Sequence, residues 1–355
     1  MSDLSFAIIG AAKAGTTTLF DHLARHPDLF LPAAKELPYF YGPADAFEAY
    51  WPDAAAYHRH HLGAAGERRA GSVTPQLMYG APADGDPAAS EADAAREIPR
   101  RLHAFAPSLR LVALLRDPVE RAASHHRMNV LRRLDRRSFA EAVDELLEPA
   151  ALAAARRRPT ETTSYVVAGE YGRILGGYLG VFPREQLLVV TTGALAATPD
   201  AVVGDVCRFL GVDPARLGPV EDLRSHRGAT ERRLRGLDVF GVQRFLAGRP
   251  RARALWRRIP PAVRLPVIRR FDAVARAEML WNRRPADEDA APVDEPTRSA
   301  LTEHYAADRR ALEDLLASAA EAPADDGQRS ATRRRGRNDR RLRGRSTRPR
   351  RILLL

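Results

Sequence analysis

Residues 10–18 read "GAAKAGTTT", between the apolar run "FAIIG" and the helix-like "LFDHLARHP". A glycine-rich turn leading from a strand into a helix points backbone N–H groups and the positive end of the helix at an anion. Gly10 and Gly15 keep the glycine spacing of the G-x-x-x-x-G-K-[ST] loop, in which the lysine reaches the outer phosphates and the hydroxyl holds Mg²⁺. Here Thr16 takes the place of that lysine, and the lysine of this loop is Lys13. Three threonines, Thr16, Thr17 and Thr18, add hydroxyl donors. No metal-holding carboxylate follows an apolar strand, because "LVALLRDP" sets Arg116 ahead of Asp117. The loop therefore suits a phosphate-like anion without a triphosphate and its metal. The same glycines also suit a turn that only packs strand on helix.

A second anion grip lies in "LLRDPVERAASHH". Arg116 stands at the exit of a core strand and Ser124 in the helix that follows. Parallel sheets bind ligands beyond the carboxyl ends of their strands, and an arginine with a hydroxyl can hold a separate phosphate there. Pairing of Arg116 with Asp117 or Glu120 is the structural alternative, and Arg121 reads as structural.

Lysine usage sharpens the choice. Of 56 basic residues only Lys13 and Lys35 are lysine. A lysine kept in an arginine-rich chain marks a place for a compact, mobile ammonium. Lys13 lies in the loop, and Lys35 precedes Glu36 in "AAKELPYFYG". His22 and His26 fall on the first helix, where they read as structural.

These groups need a scaffold. Apolar runs at 5–9, 69–75, 109–118 and 185–191 predict strands. Helices are predicted at 15–25, 91–105, from Pro118, at 138–147, at 164–182 and over "TPDAVVGDVCRFLGV", with Thr198 as its cap. Near-continuous apolar strands alternating with helices predict an α/β fold: a three-layer, phosphate-loop-like arrangement with a central parallel sheet flanked by helices. Residues 230–320 read as helical and arginine-rich, without strand signals, and predict a C-terminal helical extension. At 45% hydrophobic and 28% charged, the composition is that of a globular protein. Gln328–Leu355 carries twelve arginines against the single acid Asp339, which accounts for the whole net charge of +11 and leaves the rest near neutral. The boundaries predicted are one domain over 1–320, with a core at about 5–228 and a helical lobe at about 229–320, then a disordered tail at 321–355. The lone Cys207 excludes an internal disulfide and reads as a small buried side chain. No apolar stretch has transmembrane length, and "MSDLSFAIIG" lacks a basic leader, so the expected location is cytoplasmic.

"FAIIGAAKAGTTTLFDHLARHP" with "LLRDPVERAASHH" resembles the sulfotransferases that use 3′-phosphoadenosine 5′-phosphosulfate (PAPS), nearest the branch of heparan sulfate sulfotransferases and many bacterial enzymes. The resemblance implies a 5′-phosphosulfate loop at Lys13, Ala14, Gly15, Thr16, Thr17 and Thr18, and a 3′-phosphate site at Arg116 and Ser124. "SHRGATERR" resembles the family's later nucleotide loop, which brings in Arg227 and Gly228. Lys13 would stabilise charge on the sulfuryl group and the leaving phosphate oxygen. Glu36, in a segment resembling the one that carries the family's base, would take the acceptor proton. Thr74, Pro75 and Tyr171 would lie near the acceptor or nucleotide. PAPS would be the donor and adenosine 3′,5′-bisphosphate (PAP) the product, with no metal.

Two departures bear on the acceptor. Ser72 and Val73 stand where heparan-type enzymes carry an acid and a lysine, and Pro38 stands where they carry a histidine. Both losses point away from a polyanionic acceptor and towards a neutral hydroxyl on a sugar, glycolipid or metabolite. The rival readings are an ATP-dependent small-molecule kinase and a non-catalytic binder acting through the arginine tail. The tail suits weak contact with an anionic surface, and no specific nucleic acid is expected. "HRHH" (58–61) lacks spaced metal-ligand partners and reads as a surface cluster.

Overall fold

The computed structural model describes residues 4–32, 35–43, 51, 53–218 and 292–318, with short pieces at 230–232, 259–260, 263 and 283–285. Its centre is β1 (Leu4–Gly10), flanked by β3 (Arg69–Val73) and β4 (Arg110–Leu115); β2 (Leu29–Phe30) and β5 (Leu187–Thr191) form the edges. The order is β2-β3-β1-β4-β5, and every pairing is parallel. Such strands must be covered on both faces, which is why they read as unbroken apolar runs. Ile8, Ile9, Leu111 to Leu114 and Val73 are fully buried. The expected α/β fold is thus present, with β2 as an additional short strand.

Helices follow the strands. α1 (Thr16–Leu23) leaves β1 through the glycine turn, α2 spans Ala54–Leu62, and α3 spans Glu91–Phe105 with Ser90 capping Asp93 N–H. α4 (Pro118–Leu131) starts on a proline whose missing N–H costs nothing at a first turn. The Asp117 side chain caps it by accepting from Glu120 N–H at 2.9 Å. α5 (Phe139–Leu147) opens with a full capping box between Ser138 and Glu141. The sequence reading gave no helix at 149–157, where α6 (Pro149–Arg157) forms; the predicted single helix at 164–182 is two, α7 (Ser164–Val167) and α8 (Tyr171–Leu179), broken at Gly169–Glu170.

α9 (Thr192–Ala197) and α10 (Pro199–Leu210) follow β5. Thr198 does not cap α10 through its side chain. Its hydroxyl donates backwards to the Ala194 carbonyl at 3.2 Å. Cys207 is buried in α10, and burial pushes its thiol up to about 11. Where the sequence showed no strand signal, β6 (Thr230–Arg232) and β7 (Arg283–Pro285) pair antiparallel. α11 (Glu295–Ser318) is the C-terminal helix. The predicted tail, Arg227, Gly228, Trp256 and Trp281 lie outside the described residues.

The break at Gly169–Glu170 has a reason in α11. α8 has no side-chain cap of its own. Asp308 of α11 takes the Gly172 and Arg173 N–H groups, each at 2.8 Å. A Cβ at Gly172 would come within 2.4 Å of the Asp308 carbonyl, so the two helices touch backbone to backbone. Beside this contact Glu170, 2% exposed, accepts from Arg156, Arg173 and His304 at 2.6–3.1 Å. Arg156 also pairs with Glu91 at 2.9 Å. One carboxylate thereby ties α3, α6, α8 and α11 together. Burial raises the proton affinity of Glu170, but His304, Arg173 and Arg156 outweigh it and hold the carboxyl at about 2.

Removing one member of a buried ionic cluster strands the others. Glu170→Ala is expected to lower unfolding free energy by about 3–5 kcal/mol in denaturant titration. Because the folded pKa is depressed, this stabilisation is complete above the ordinary glutamate range and is lost as pH falls towards about 2. A variant whose stability and acid sensitivity match the parent would refute the role of this cluster.

Candidate active site

The carboxyl ends of β1, β3, β4 and β5 bring the candidate residues to one edge of the sheet. The loop after β1 is held by its carbonyls. Ala11 O accepts from Ala14 N–H, Lys13 O from Arg116 at 3.2 Å, and Ala14 O from the Thr192 hydroxyl at 2.6 Å. Thr192 also donates to Leu115 O at 3.1 Å, and Ala11 N–H reaches Leu114 O at 2.7 Å. The loop is thus pinned to β4 and α9 through its oxygens.

Gly15 caps α1 with φ +93°, a left-handed conformation that glycine adopts without penalty. It offers no side-chain cap to the first turn of α1. Lys13 also has a positive φ, +69°, unusual for a residue with a side chain. Gly10 is needed for a different reason: a Cβ there would fall 2.6 Å from Met78.

Positive charge converges on this uncapped helix start. The half-buried Lys13 Nζ has the Met128 sulfur at 3.8 Å, a weak partner for an ammonium. Burial is the main reason its pKa falls to about 8, and Arg132, Arg116, Lys35 and Arg127 add repulsion. Lys35, its side chain 14% exposed, donates to Thr17 Oγ1 at 2.9 Å and reaches Thr16 Oγ1 at 3.5 Å. Burial lowers its pKa as well, against the pull of Glu36. Arg116 leaves β4 beside the loop, with only Glu120 at 4.0 Å as an acidic partner among the described residues. Ser124, partly exposed, lies on the second turn of α4.

Both lysines of the chain therefore meet at one loop. Sequence reasoning assigned Lys35 no donor-side role. The signal that could have found it was its rarity, which the composition already displayed.

Glu36 is exposed, 3.9 Å from Lys35 and accepting from Gln76 Nε2 at 2.7 Å. Thr74 is fully buried. Its hydroxyl accepts from Leu37 N–H at 3.0 Å, so it fixes the backbone next to Glu36 and does not itself face an acceptor. Pro75 starts a short 3-10 turn (Pro75–Met78) that presents Gln76. Tyr171 is buried, and its hydroxyl donates to Arg116 O at 3.0 Å, bracing the exit of β4 from beneath.

The rival bases are structural. His26 accepts from Asp28 N–H through Nδ1 and donates from Nε2 to Asp213 O at 2.9 Å. His22 is buried, and burial lowers its pKa. His58 is also buried, bonded through Nδ1 to Ala54 O at 2.8 Å and stacked on Phe40.

The residues fit a donor with a dianionic group. The loop offers cations and an uncapped helix start, and these groups lack acidic partners sufficient to neutralise them among the described residues. Lys13, Lys35, Thr16, Thr17 and the first N–H groups of α1 would hold a phosphosulfate. Arg116 follows the end of β4 and Ser124 lies on α4.

Residues 6–215 match the model of the sulfotransferase family. Human heparan sulfate glucosamine 3-O-sulfotransferase 6 is 28% identical over 212 residues, 58% of this chain and 51% of that protein. Human carbohydrate sulfotransferase 15 is 28% identical over 253 residues, 59% of this chain and 44% of that protein. The chain spans about half the length of the curated relatives it matches. A crystal structure of a sulfotransferase from Alicyclobacillus acidocaldarius superposes with a TM-score of 0.50 at 28% identity, covering 74% of this chain and 99% of that one.

A depressed lysine pKa predicts a pH break in anion binding. The protonated Lys13 favours an anion, so affinity for PAP is expected to be full below about pH 8 and to fall as pH rises through it. Lys13→Arg should remove the break, since arginine stays charged. Calorimetric titration across pH checks this, and identical pH profiles for the two proteins would count against Lys13 as an anion ligand.

Proposed function

As the chain belongs to the sulfotransferase family, we propose that it moves a sulfuryl group from PAPS to a hydroxyl of a carbohydrate, glycolipid or small metabolite. The observation that carries this reading is the convergence of Lys13, Lys35 and Arg116 on an uncapped helix start. PAPS supplies an activated sulfuryl group whose departure leaves negative charge on a phosphate oxygen. Cations already fixed where that charge develops lower the barrier without reorganising. Lys13 is the group for the transferring sulfuryl and the leaving oxygen. Lys35 bridges the two halves of the site, since it touches the loop hydroxyls and stands 3.9 Å from Glu36.

Glu36 is the proton acceptor for the attacking hydroxyl. Its Oε2 is oriented by Gln76, and Thr74 fixes the backbone beside it. Its exposure leaves it open to an acceptor. In-line transfer is then mainly positioning and charge stabilisation, as in phosphoryl transfer. The relatives' names speak of glycan acceptors, which supports a sugar hydroxyl here. The loss of the acid, lysine and histidine at Ser72, Val73 and Pro38 argues against a polyanionic chain.

The test is transfer of labelled sulfate from PAPS to a panel of glycans, glycolipids and phenols without added metal. PAP should raise the melting temperature, and Lys13→Ala and Glu36→Gln should each reduce turnover by about 10²–10⁴-fold with the fold intact. ATP turnover that depends on Mg²⁺, with no PAP stabilisation, would establish the kinase reading instead.

A further inference from the structure

The turn that presents Gln76 to Glu36 also presents Tyr79 to a second carboxylate. The Tyr79 hydroxyl donates to Glu161 Oε2 at 3.3 Å. Nε2 of His125 lies 3.4 Å from the same oxygen and 3.4 Å from the Tyr79 hydroxyl. Glu161 sits between α6 and α7, its backbone fixed by Asn129 Nδ2 donating to its carbonyl at 2.7 Å. Its side chain is 37% exposed, whereas Tyr79 and His125 are buried beneath it. Two carboxylates therefore flank one short turn, and Glu36 already has a role as the base.

Glu161 is held in a defined electrostatic state. Arg121 is fully buried, donates to Tyr165 O, and places NH1 3.4 Å from His125 Nδ1. A guanidinium only donates, so Nδ1 accepts and the ring proton sits on Nε2, aimed at Glu161. Burial and the neighbouring Arg121 push His125 down to about 4, despite the pull of Glu161, so this imidazole is neutral at ordinary pH. Burial alone would raise the Glu161 pKa. The His125 and Tyr79 hydrogen bonds and the field of Arg132 hold it below the usual glutamate value.

The groups that act on this carboxylate are thus Tyr79, Tyr41, His125 and Arg132, with Arg121 and Lys13 acting on His125, and Arg121 and Glu36 on Tyr79. Among the described residues no lysine or arginine lies within ion-pair distance of Glu161, and Arg132 is exposed, where solvent screens it. An ionised, partly buried carboxylate whose direct hydrogen-bond partners are the neutral Tyr79 and His125, with Arg132 acting only through its screened field, retains attraction for a cation.

We infer that Glu161 is a specificity-determining residue of the acceptor side: it receives an amine-bearing polyol through its ammonium group and turns away acceptors with an anion at that position. This rests on the sulfotransferase reading and deepens it. The hydroxyl that attacks would be served by Glu36, and the neighbouring charged substituent by Glu161.

The test uses the full chain with PAP bound and three glucosamine tetrasaccharides alike except for the nitrogen substituent: free amine, N-acetyl and N-sulfo. Binding is measured by calorimetry in mildly acidic buffer that keeps the amines charged. The parent should bind the free-amine sugar about tenfold more tightly than the N-acetyl sugar, with the N-sulfo sugar weakest. Glu161→Gln and Glu161→Ala should bring all three within about threefold while the PAP-induced melting shift is kept. Equal or undetectable binding of the three sugars by the parent, with the PAP shift intact, overturns the inference. So does a preference that survives both substitutions. Should a variant not fold, the order shown by the parent decides. Absence of the PAP shift in the parent would instead mark failure of the sulfotransferase reading itself.

Discussion

The arrangement depends on positive charge crowded around a helix start that no side chain caps. Lys13 and Lys35 are partly withdrawn from water and repel one another, and Arg116 adds to the repulsion. The nearest partners of these cations are mostly uncharged: the carbonyl of Lys13, the hydroxyls of Thr16 and Thr17, the sulfur of Met128. Such contacts fix where the cations sit without neutralising them. The parallel sheet serves this purpose. Its strands all end at one edge, so residues distant in the chain meet there, and Thr192 closes the assembly by bonding both the loop and the end of β4.

The far side of the site follows the opposite rule. Carboxylates lead there, and the supporting donors are neutral or buried. Arg121 is a fully buried cation without an acid partner among the described residues, satisfied in part by the Tyr165 carbonyl and the His125 ring. Its charge adds to burial in keeping the imidazole beside it deprotonated. On the proposed reading the donor half is led by cations and the acceptor half by carboxylates, and Lys35 with Glu36 marks the boundary.

The fold was largely legible in the sequence because a buried parallel sheet has to be written in continuous apolar runs. "FAIIG", "LRLVALL" and "LLVVT" are strands for that reason. What escaped was set by partners remote in sequence. The break between α7 and α8 answers to Asp308, some 136 residues away from Gly172, and nothing local in "SYVVAGEYGRIL" announces it. Thr198 looked like a cap by residue type, but its hydroxyl found the carbonyl behind it. The donor loop could be read from glycine spacing and a rare lysine. Glu161 could not, because a glutamate in "RRPTETTSY" gains meaning only from Tyr79 and His125, brought beside it by other elements.

The turn at Pro75–Met78 acts as a caliper. From one side it sends Gln76 to Glu36, and Tyr79, directly after it, goes to Glu161. Residues of this one segment therefore touch both carboxylates, with His125 and Asn129 holding Glu161 from α4. Lengthening or recutting that segment would widen or narrow the opening while leaving the loop after β1 untouched. On the proposed reading, donor chemistry and acceptor choice would be inherited separately: the first fastened to the sheet, the second tied to one short turn.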